Sequence, residues 1–435
     1  MARGRLWCDP AEDAGQAVID PVARGRTAPK PLTVALAGAV ALAVAMGIGR
    51  FAFTPLLPMM LADRLLDLHA ASWLASANYF GYLAGALLCT IQPWVWAKWP
   101  GLPPLDGLRM VRGGLVATGV LTLAMALPLP SAWPALRFAA GVASALVFVY
   151  SSGWCLAQLA RADASALGGV MFAGPGAGIV VSGVLVGGMV AWHWRAESGW
   201  ILFGILALVL SATVWRTFRP QPEGPAATAD PRPTASDARS GTTHTRIEVG
   251  ALAVAYGLAG FGYIVTATFL PVIAREALPG SPWLDSFWPI FGLGVVGGAL
   301  LSTRLRVSGD QRLVLAGAYF VQAAGIAAGL LSPTLTGFAI GSLVLGIPFT
   351  AITFFAMQEV RRLRPAAAAS TIGLLTTLYG IGQIVGPPLV ALMLHRSAGA
   401  GAGFTLSLEI AAAALVIGAL LYLGMIRAFP RARST

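Results

Sequence analysis

The chain has 435 residues, 57% of them hydrophobic and only 11% charged, with a mean hydropathy of +0.75 and a formal net charge of +11. So much apolar sequence excludes a soluble globular protein, because long apolar runs recurring along a chain of this size mark a polytopic membrane protein. The positive charge does not point to nucleic acid, since the 27 Arg and two Lys punctuate the apolar runs instead of forming one patch.

Residues 1–31 mix basic residues, acids and prolines without an apolar core. They read as a disordered cytoplasmic tail, not a cleavable signal peptide, so the first helix acts as an uncleaved anchor. Hydrophobic periodicity then predicts six helices over 32–61, 72–97, 107–128, 133–160, 165–191 and 199–217. Six more are predicted over 249–273, 283–303, 311–331, 335–360, 367–395 and 402–426. The expected organisation is an N-terminal six-helix bundle, 32–218, and a C-terminal one, 249–427. A Pro-, Ala-, Thr- and Ser-rich cytoplasmic linker, 219–248, joins them, and a short tail, 428–435, follows.

The first helix contains Gly47-Ile48-Gly49-Arg50-Phe51-Ala52-Phe53-Thr54-Pro55-Leu56-Leu57-Pro58. Arg50 is the only charge in this apolar run, and an arginine inside a hydrocarbon layer must face protein or a water-filled cavity. No acid lies deep in the first six helices to pair with it, which favours a contact for an anionic group over a structural arginine. Thr54 shares its face, and Asn78 or Tyr79 of the second helix is expected nearby. Along that second helix Asn78, Tyr82, Gly85, Cys89 and Gln92 share a face that reads as cavity-lining, the alternative being small-residue packing. Arg137 stands about one turn inside the fourth helix and either contributes to the site or snorkels to the surface.

In the second half, the seventh helix shows Tyr256, Gly260 and Tyr263 on one face. The eleventh shows Gly373, Thr376, Gly380, Gln383 and Pro387. Glu409 in the twelfth helix is the only carboxyl plainly within the membrane, and is a proton-coupling candidate on a helix expected to be peripheral. Glu359, beside Arg361 and Arg362, reads as a gate or a surface ion pair. Neither the four histidines nor the three cysteines have metal-ligand or disulfide spacing, so no metal and no cofactor are expected.

Basic residues set the topology. With both termini inside, 23 of the 29 Lys and Arg fall on the cytoplasmic side, four in outer loops and two, Arg50 and Arg137, within helices. The halves are also related to each other. Gly47-x-Gly49 through Leu57-Pro58 matches Gly260-x-Gly262 through Leu270-Pro271 at a shift of 213. Gly81-x3-Gly85-Ala86-Leu87-Leu88 matches Gly294-x3-Gly298-Ala299-Leu300-Leu301 at the same shift, and Gly174-Pro175 matches Gly386-Pro387 at 212. Three matches at nearly one offset indicate duplication. An even number of helices per half makes the copies parallel, related by an axis along the membrane normal.

Over nearly all of 32–426 the chain resembles the major facilitator superfamily. The run Gly49 to Pro58, followed by Ala77-Asn78-Tyr79-Phe80-Gly81-Tyr82-Leu83-Ala84-Gly85-Ala86, resembles the YbfB/YjiJ-type transporters. Arg137-Phe138-x2-Gly141 resembles that family's fourth-helix arginine motif. Gly373-x8-Gly382-x3-Gly386-Pro387 resembles the glycine-proline motif of antiporters, but in the eleventh helix instead of the fifth. The acidic-basic motif expected after the second helix is absent from 92–106, and part of it survives after the eighth helix around Arg304, Asp310 and Arg312. The resemblance implies the major facilitator fold, an all-α membrane protein of twelve helices in two bundles, and transport by rocking them about a central site.

The reading is a secondary transporter of a small anionic or polar organic solute, in the inner membrane of a bacterium. It is expected to be a monomer in the lipid bilayer, coupled to protons or another ion. The substrate site is expected to comprise Arg50, Thr54, Asn78, Tyr79, Arg137, Tyr263 and Gln383, with Gly174, Pro175, Gly386 and Pro387 in gating and helix packing. Two alternatives stand beside it: proton-coupled efflux of drug-like compounds, and a membrane enzyme acting on lipid-linked substrates. The enzyme would need clustered acids or histidines at a membrane face, and the sequence shows none. No GxxxxGK[ST] phosphate loop occurs, which excludes ATP-driven transport within this chain.

Overall fold

The computed structural model describes residues 30–99, 101, 106–219, 243–281, 283–304, 309–365 and 368–430. Among these it is all-helical. The first six helices are α1 (Pro31–Ala62), α2 (Leu68–Lys98), α3 (Gly107–Ala124), α4 (Trp133–Arg161), α5 (Ser165–Ala191) and α6 (Ala196–Val214). The second six are α7 (Thr243–Ala277), α8 (Leu284–Ser302), α9 (Gln311–Leu331), α10 (Leu335–Leu363), α11 (Ala368–Arg396) and α12 (Ala400–Ala428). Eleven are long and apolar enough to cross a bilayer. The remaining one, α3, carries Arg109 and Arg112 in its first two turns, which dilute its apolarity. Helix α7 starts at Thr243, so residues 243–248, expected as linker, are helical. The rest of the expected linker beyond Arg219, residues 1–29 of the first tail and 431–435 of the last lie outside the described residues.

Lipid tails are as apolar as leucine, so helices here associate through close backbone approach and hydrogen bonds, not through expulsion of water. The repeated glycines supply that approach. Gly81 of α2 lies against α4, where an added Cβ would come within 1.9 Å of the Phe138 carbonyl oxygen. Its counterpart Gly294 is followed by Gly298, whose Cβ would come within 1.8 Å of the Ile347 carbonyl oxygen of α10. The two Gly-Pro pairs also hold matching helices. Gly174 sits on the Ala39 carbonyl of α1, and Gly386 on the Ile264 side chain of α7, with Pro175 and Pro387 buried beside them.

The two bundles meet along two seams, α2 with α11 and α5 with α8. Between the seams α1 faces α7, where the Thr54 hydroxyl donates to the Ala267 carbonyl at 2.9 Å. Ala267 lies 213 positions beyond Thr54, the shift of the repeat. A residue that touches its own counterpart lies on the axis relating the two copies, so this bond marks that axis between α1 and α7.

Candidate functional site

Helix α1 is not one continuous α-helix. Its α-helical turns end at Leu42, a π-helical stretch covers Ala43–Ile48, and α-helix resumes at Phe53. The Gly49 amide reaches back five residues to the Val44 carbonyl, and the Phe51 amide five to Met46. Pro55 is the local cause on the far side, because it has no amide hydrogen for the Phe51 carbonyl, which the Thr54 amide takes instead. The break leaves the Gly49 and Arg50 carbonyls without helical partners in a region with little water to satisfy them.

Arg137 of α4 fills that need. Its guanidinium donates to the Gly49 and Arg50 carbonyls, each at 3.1 Å, and lies over the Phe53 ring. The Ser144 hydroxyl of the same helix donates to the Ala45 carbonyl at 2.6 Å. Arg137 is 2% exposed; it does not snorkel, and its donors are turned to the backbone of α1. Asn78, expected beside Arg50, instead donates through its amide to the Arg137 carbonyl at 2.9 Å. The α2 face read as cavity-lining mostly packs on α4: Gly85 meets Val142 and Ala145, and Gln92 accepts from the Tyr150 hydroxyl. Only Tyr82 of that face turns to the centre.

The break aims Arg50 at the interface between the bundles, near the middle of α1. Its side chain is 3% exposed. The guanidinium carbon lies 4.1 Å from the centre of the Tyr82 ring, 5.2 Å from Tyr79 and 5.4 Å from Phe51. Contacts of this type contribute roughly 0.5–2 kcal/mol each, more when desolvated. Across the interface, Arg50 Nη2 donates to Gln383 Oε1 of α11 at 3.2 Å. Gln383 Nε2 in turn donates to the hydroxyl of Tyr263, the residue 213 positions beyond Arg50. Among the described residues no carboxylate pairs with Arg50, and its Nε is buried without a hydrogen-bond partner. A guanidinium carries five N–H donors, and here one is used by protein.

Aromatic rings concentrate at this centre. Five of the chain's eight tyrosines (79, 82, 256, 263 and 379) stand within it. Tyr379 stacks between Tyr256 and Tyr263, with ring centres 4.7 and 5.9 Å apart. On the side of Arg50 away from the segment joining the bundles, further contacts bring them together. Tyr79 bonds to Thr268, Ser76 donates to the Ile384 carbonyl, and Phe51 packs on Trp288. Toward the joining segment, Tyr82, Tyr379, Phe349 and Thr376 are only half-buried. Sequence reasoning left out Tyr379, although its i,i+4 spacing to Gln383 places it on the same face. Gly373 and Gly380 of that α11 face lie against Thr90 and Leu83 of α2.

The remaining polar residues lie elsewhere. Glu409 is exposed on the outer face of α12. Glu359 is no surface pair: it is 0% exposed and bonds to Arg362 at 2.6 Å. With Glu248, Asp310 and the fully buried Arg312 it forms an ionic cluster at the ends of α7, α9 and α10. Arg312 also donates to the Met425 and Phe429 carbonyls, capping α12. No group of His, Cys, Asp or Glu among the described residues has the geometry to hold a metal ion.

This architecture is shared by solved transporters of known type. The chain aligns with the D-xylose-proton symporter at 14% identity and a TM-score of 0.68, covering 90% of this chain and 96% of that one. It aligns with the nucleoside transporter NupG at 16% identity and a TM-score of 0.64, covering 91% and 99%. A bacterial homolog of the human lysosomal transporter Spinster, in its inward-facing unoccupied conformation, aligns at 16% and 0.62, covering 92% and 98%. No curated protein matches the sequence. At these identities the likeness establishes the fold, and it is the sequence that establishes the family. Residues 42–423 match the family described as the uncharacterised major facilitator superfamily transporter YbfB. The chain therefore belongs to the YbfB-type family of major facilitator transporters, as a multi-pass membrane protein that moves solutes and is not an enzyme.

Proposed function

We propose that this transporter moves a small organic anion across the bacterial inner membrane by alternating access, with Arg50 as the contact for the anionic group. The observation that carries the reading is the state of Arg50: buried at the bundle interface, near mid-helix, with no carboxylate partner among the described residues. Holding an unneutralised guanidinium in apolar surroundings is costly. An incoming anion offsets that cost, whereas a cationic drug is repelled, and charge interactions in such a site are several-fold stronger than in water. In this reading Thr54, Tyr79, Tyr263 and Gln383 shape the site, and Arg137 and Asn78 position it through the backbone of α1. The excess of Lys and Arg in alternate loops supports reading both termini as cytoplasmic, and in that orientation the bundles close on the outer side of Arg50. We further propose that the unit is a monomer and that a proton or another ion drives it. Glu409, exposed on α12, stands apart from the central site.

Proton-coupled efflux of cationic drugs finds no support at the centre, where the described residues place no acid to receive the cation. The two readings separate in one experiment. Purified protein in proteoliposomes is offered labelled small anions, neutral solutes and lipophilic cations of similar size. Accumulation of at least one anion above the cations is the expected result, and a clear preference for cations contradicts the proposal.

A further inference from the structure

The group now bonded to Arg50 is itself informative. Gln383 reaches over from α11 in the other bundle, is 1% exposed, and lays a planar amide between Arg50 and the Tyr263 hydroxyl. Its oxygen accepts from Arg50 and its nitrogen donates to Tyr263. A carboxylate has the same flat three-atom outline, with an oxygen where the amide has nitrogen. Tyr263 accommodates the change, because a phenolic hydroxyl both accepts and donates. A carboxylate set in this place accepts from Arg50 through one oxygen and from the Tyr263 O–H through the other. The exchange favours the anion, since a charge-assisted bond to guanidinium is about twice as strong as a neutral one. Tetrahedral sulfonates and phosphates do not share the planar outline.

We propose that the substrate's anionic group is a carboxylate and that Gln383 is its internal competitor, displaced from Arg50 as the substrate binds. Displacement also exchanges the direct Arg50–Gln383 contact between α1 and α11 for a link from Arg50 to Tyr263 that runs through the substrate, so occupancy of the site and replacement of a contact between the bundles are one event. This rests on the reading of Arg50 as the anion contact. It differs from an ordinary binding role for Gln383 in the sign of its effect, because removing a competitor tightens binding and removing a ligand contact weakens it.

The test is equilibrium binding to the full-length purified protein in nanodiscs by calorimetry. The probes are acetate, hexanoate and benzoate, each set against the sulfonate with the same organic group. At least one carboxylate binds, and its sulfonate binds about tenfold more weakly or not at all. Gln383→Ala tightens the carboxylate roughly three- to tenfold, the worth of one neutral hydrogen bond. Gln383→Glu loses binding because a tethered carboxylate occupies Arg50. Weaker binding in Gln383→Ala, sulfonates as tight as carboxylates, or no response to any of the three carboxylates overturns the proposal. If Gln383→Glu does not fold, the alanine variant and the sulfonate series decide. Arg50→Gln separates the two levels. If it binds like the wild type, the anion reading itself fails; if it loses binding while Gln383→Ala also weakens, only the displacement fails.

Discussion

Two buried arginines lie side by side, the guanidinium of Arg137 bonded to the carbonyl of Arg50, and have different surroundings. Arg137 gives two donors to carbonyls that α1 cannot satisfy and leaves its Nε unpartnered, whereas Arg50 has three aromatic faces and one amide oxygen. On the proposed reading that difference separates a positioning residue from a contact residue, although their sequence signature, a lone arginine in an apolar run, is the same. We predict that Arg137→Gln leaves at least one of the Gly49 and Arg50 carbonyls unpaired and destabilises the purified protein by about 1–3 kcal/mol. The residual transport should keep its preference for anions over cations. Thermal unfolding in detergent, with transport by the surviving fraction, measures both quantities. Unchanged stability contradicts the capping role.

At the scale of the helices, much was legible in advance. The repeated glycines were legible as a mark of duplication, and the structure shows what they do, putting Gly81 and Gly298 each against the fourth helix of its own half. Gly81→Ala and Gly298→Ala should therefore both lower the yield of folded protein. Gly188→Ala, at a position with nothing within 4 Å of the added carbon, should be neutral or slightly stabilising, since alanine favours helix. Size-exclusion profiles of the three variants test this, and an equal loss at Gly188 sinks the explanation. Less legible was the break in α1. Pro55 signals a loosened turn, but a proline frees the carbonyl four residues upstream, and the extra residue of a π-turn leaves no mark in hydrophobic periodicity. Without that break in view, Arg137 reads as a neighbour of the substrate although its guanidinium bonds to the α1 backbone, and Asn78 reads so although its amide bonds to the backbone of α4. The α2 face from Asn78 to Gln92 shows the same limit: polar spacing tells which residues share a face, not which helix covers it.

Across the whole molecule, the duplication gives the site its place. Arg50 and Tyr263 are counterparts at a shift of 213, as are Thr54 and Ala267 one turn on; at the interface between the bundles the second pair bonds directly and the first is joined through Gln383. A site on the axis between two copies contacts both, so a motion of one copy against the other changes its surroundings symmetrically. The copies have diverged where chemistry requires it, with arginine in one and tyrosine in the other, bridged by Gln383. The tyrosine column belongs to the second half and the cation to the first, so on the proposed reading neither bundle contains a complete site. The most direct test of this arrangement is uptake of a labelled carboxylate into proteoliposomes by wild type, Arg50→Lys and Arg50→Gln, with folding checked in parallel. Lysine keeps the charge but loses the planar fork, and uptake should fall about tenfold. Glutamine removes the charge, and uptake should fall more than about a hundredfold in a protein that still folds and inserts. Uptake by Arg50→Gln equal to wild type would contradict the account.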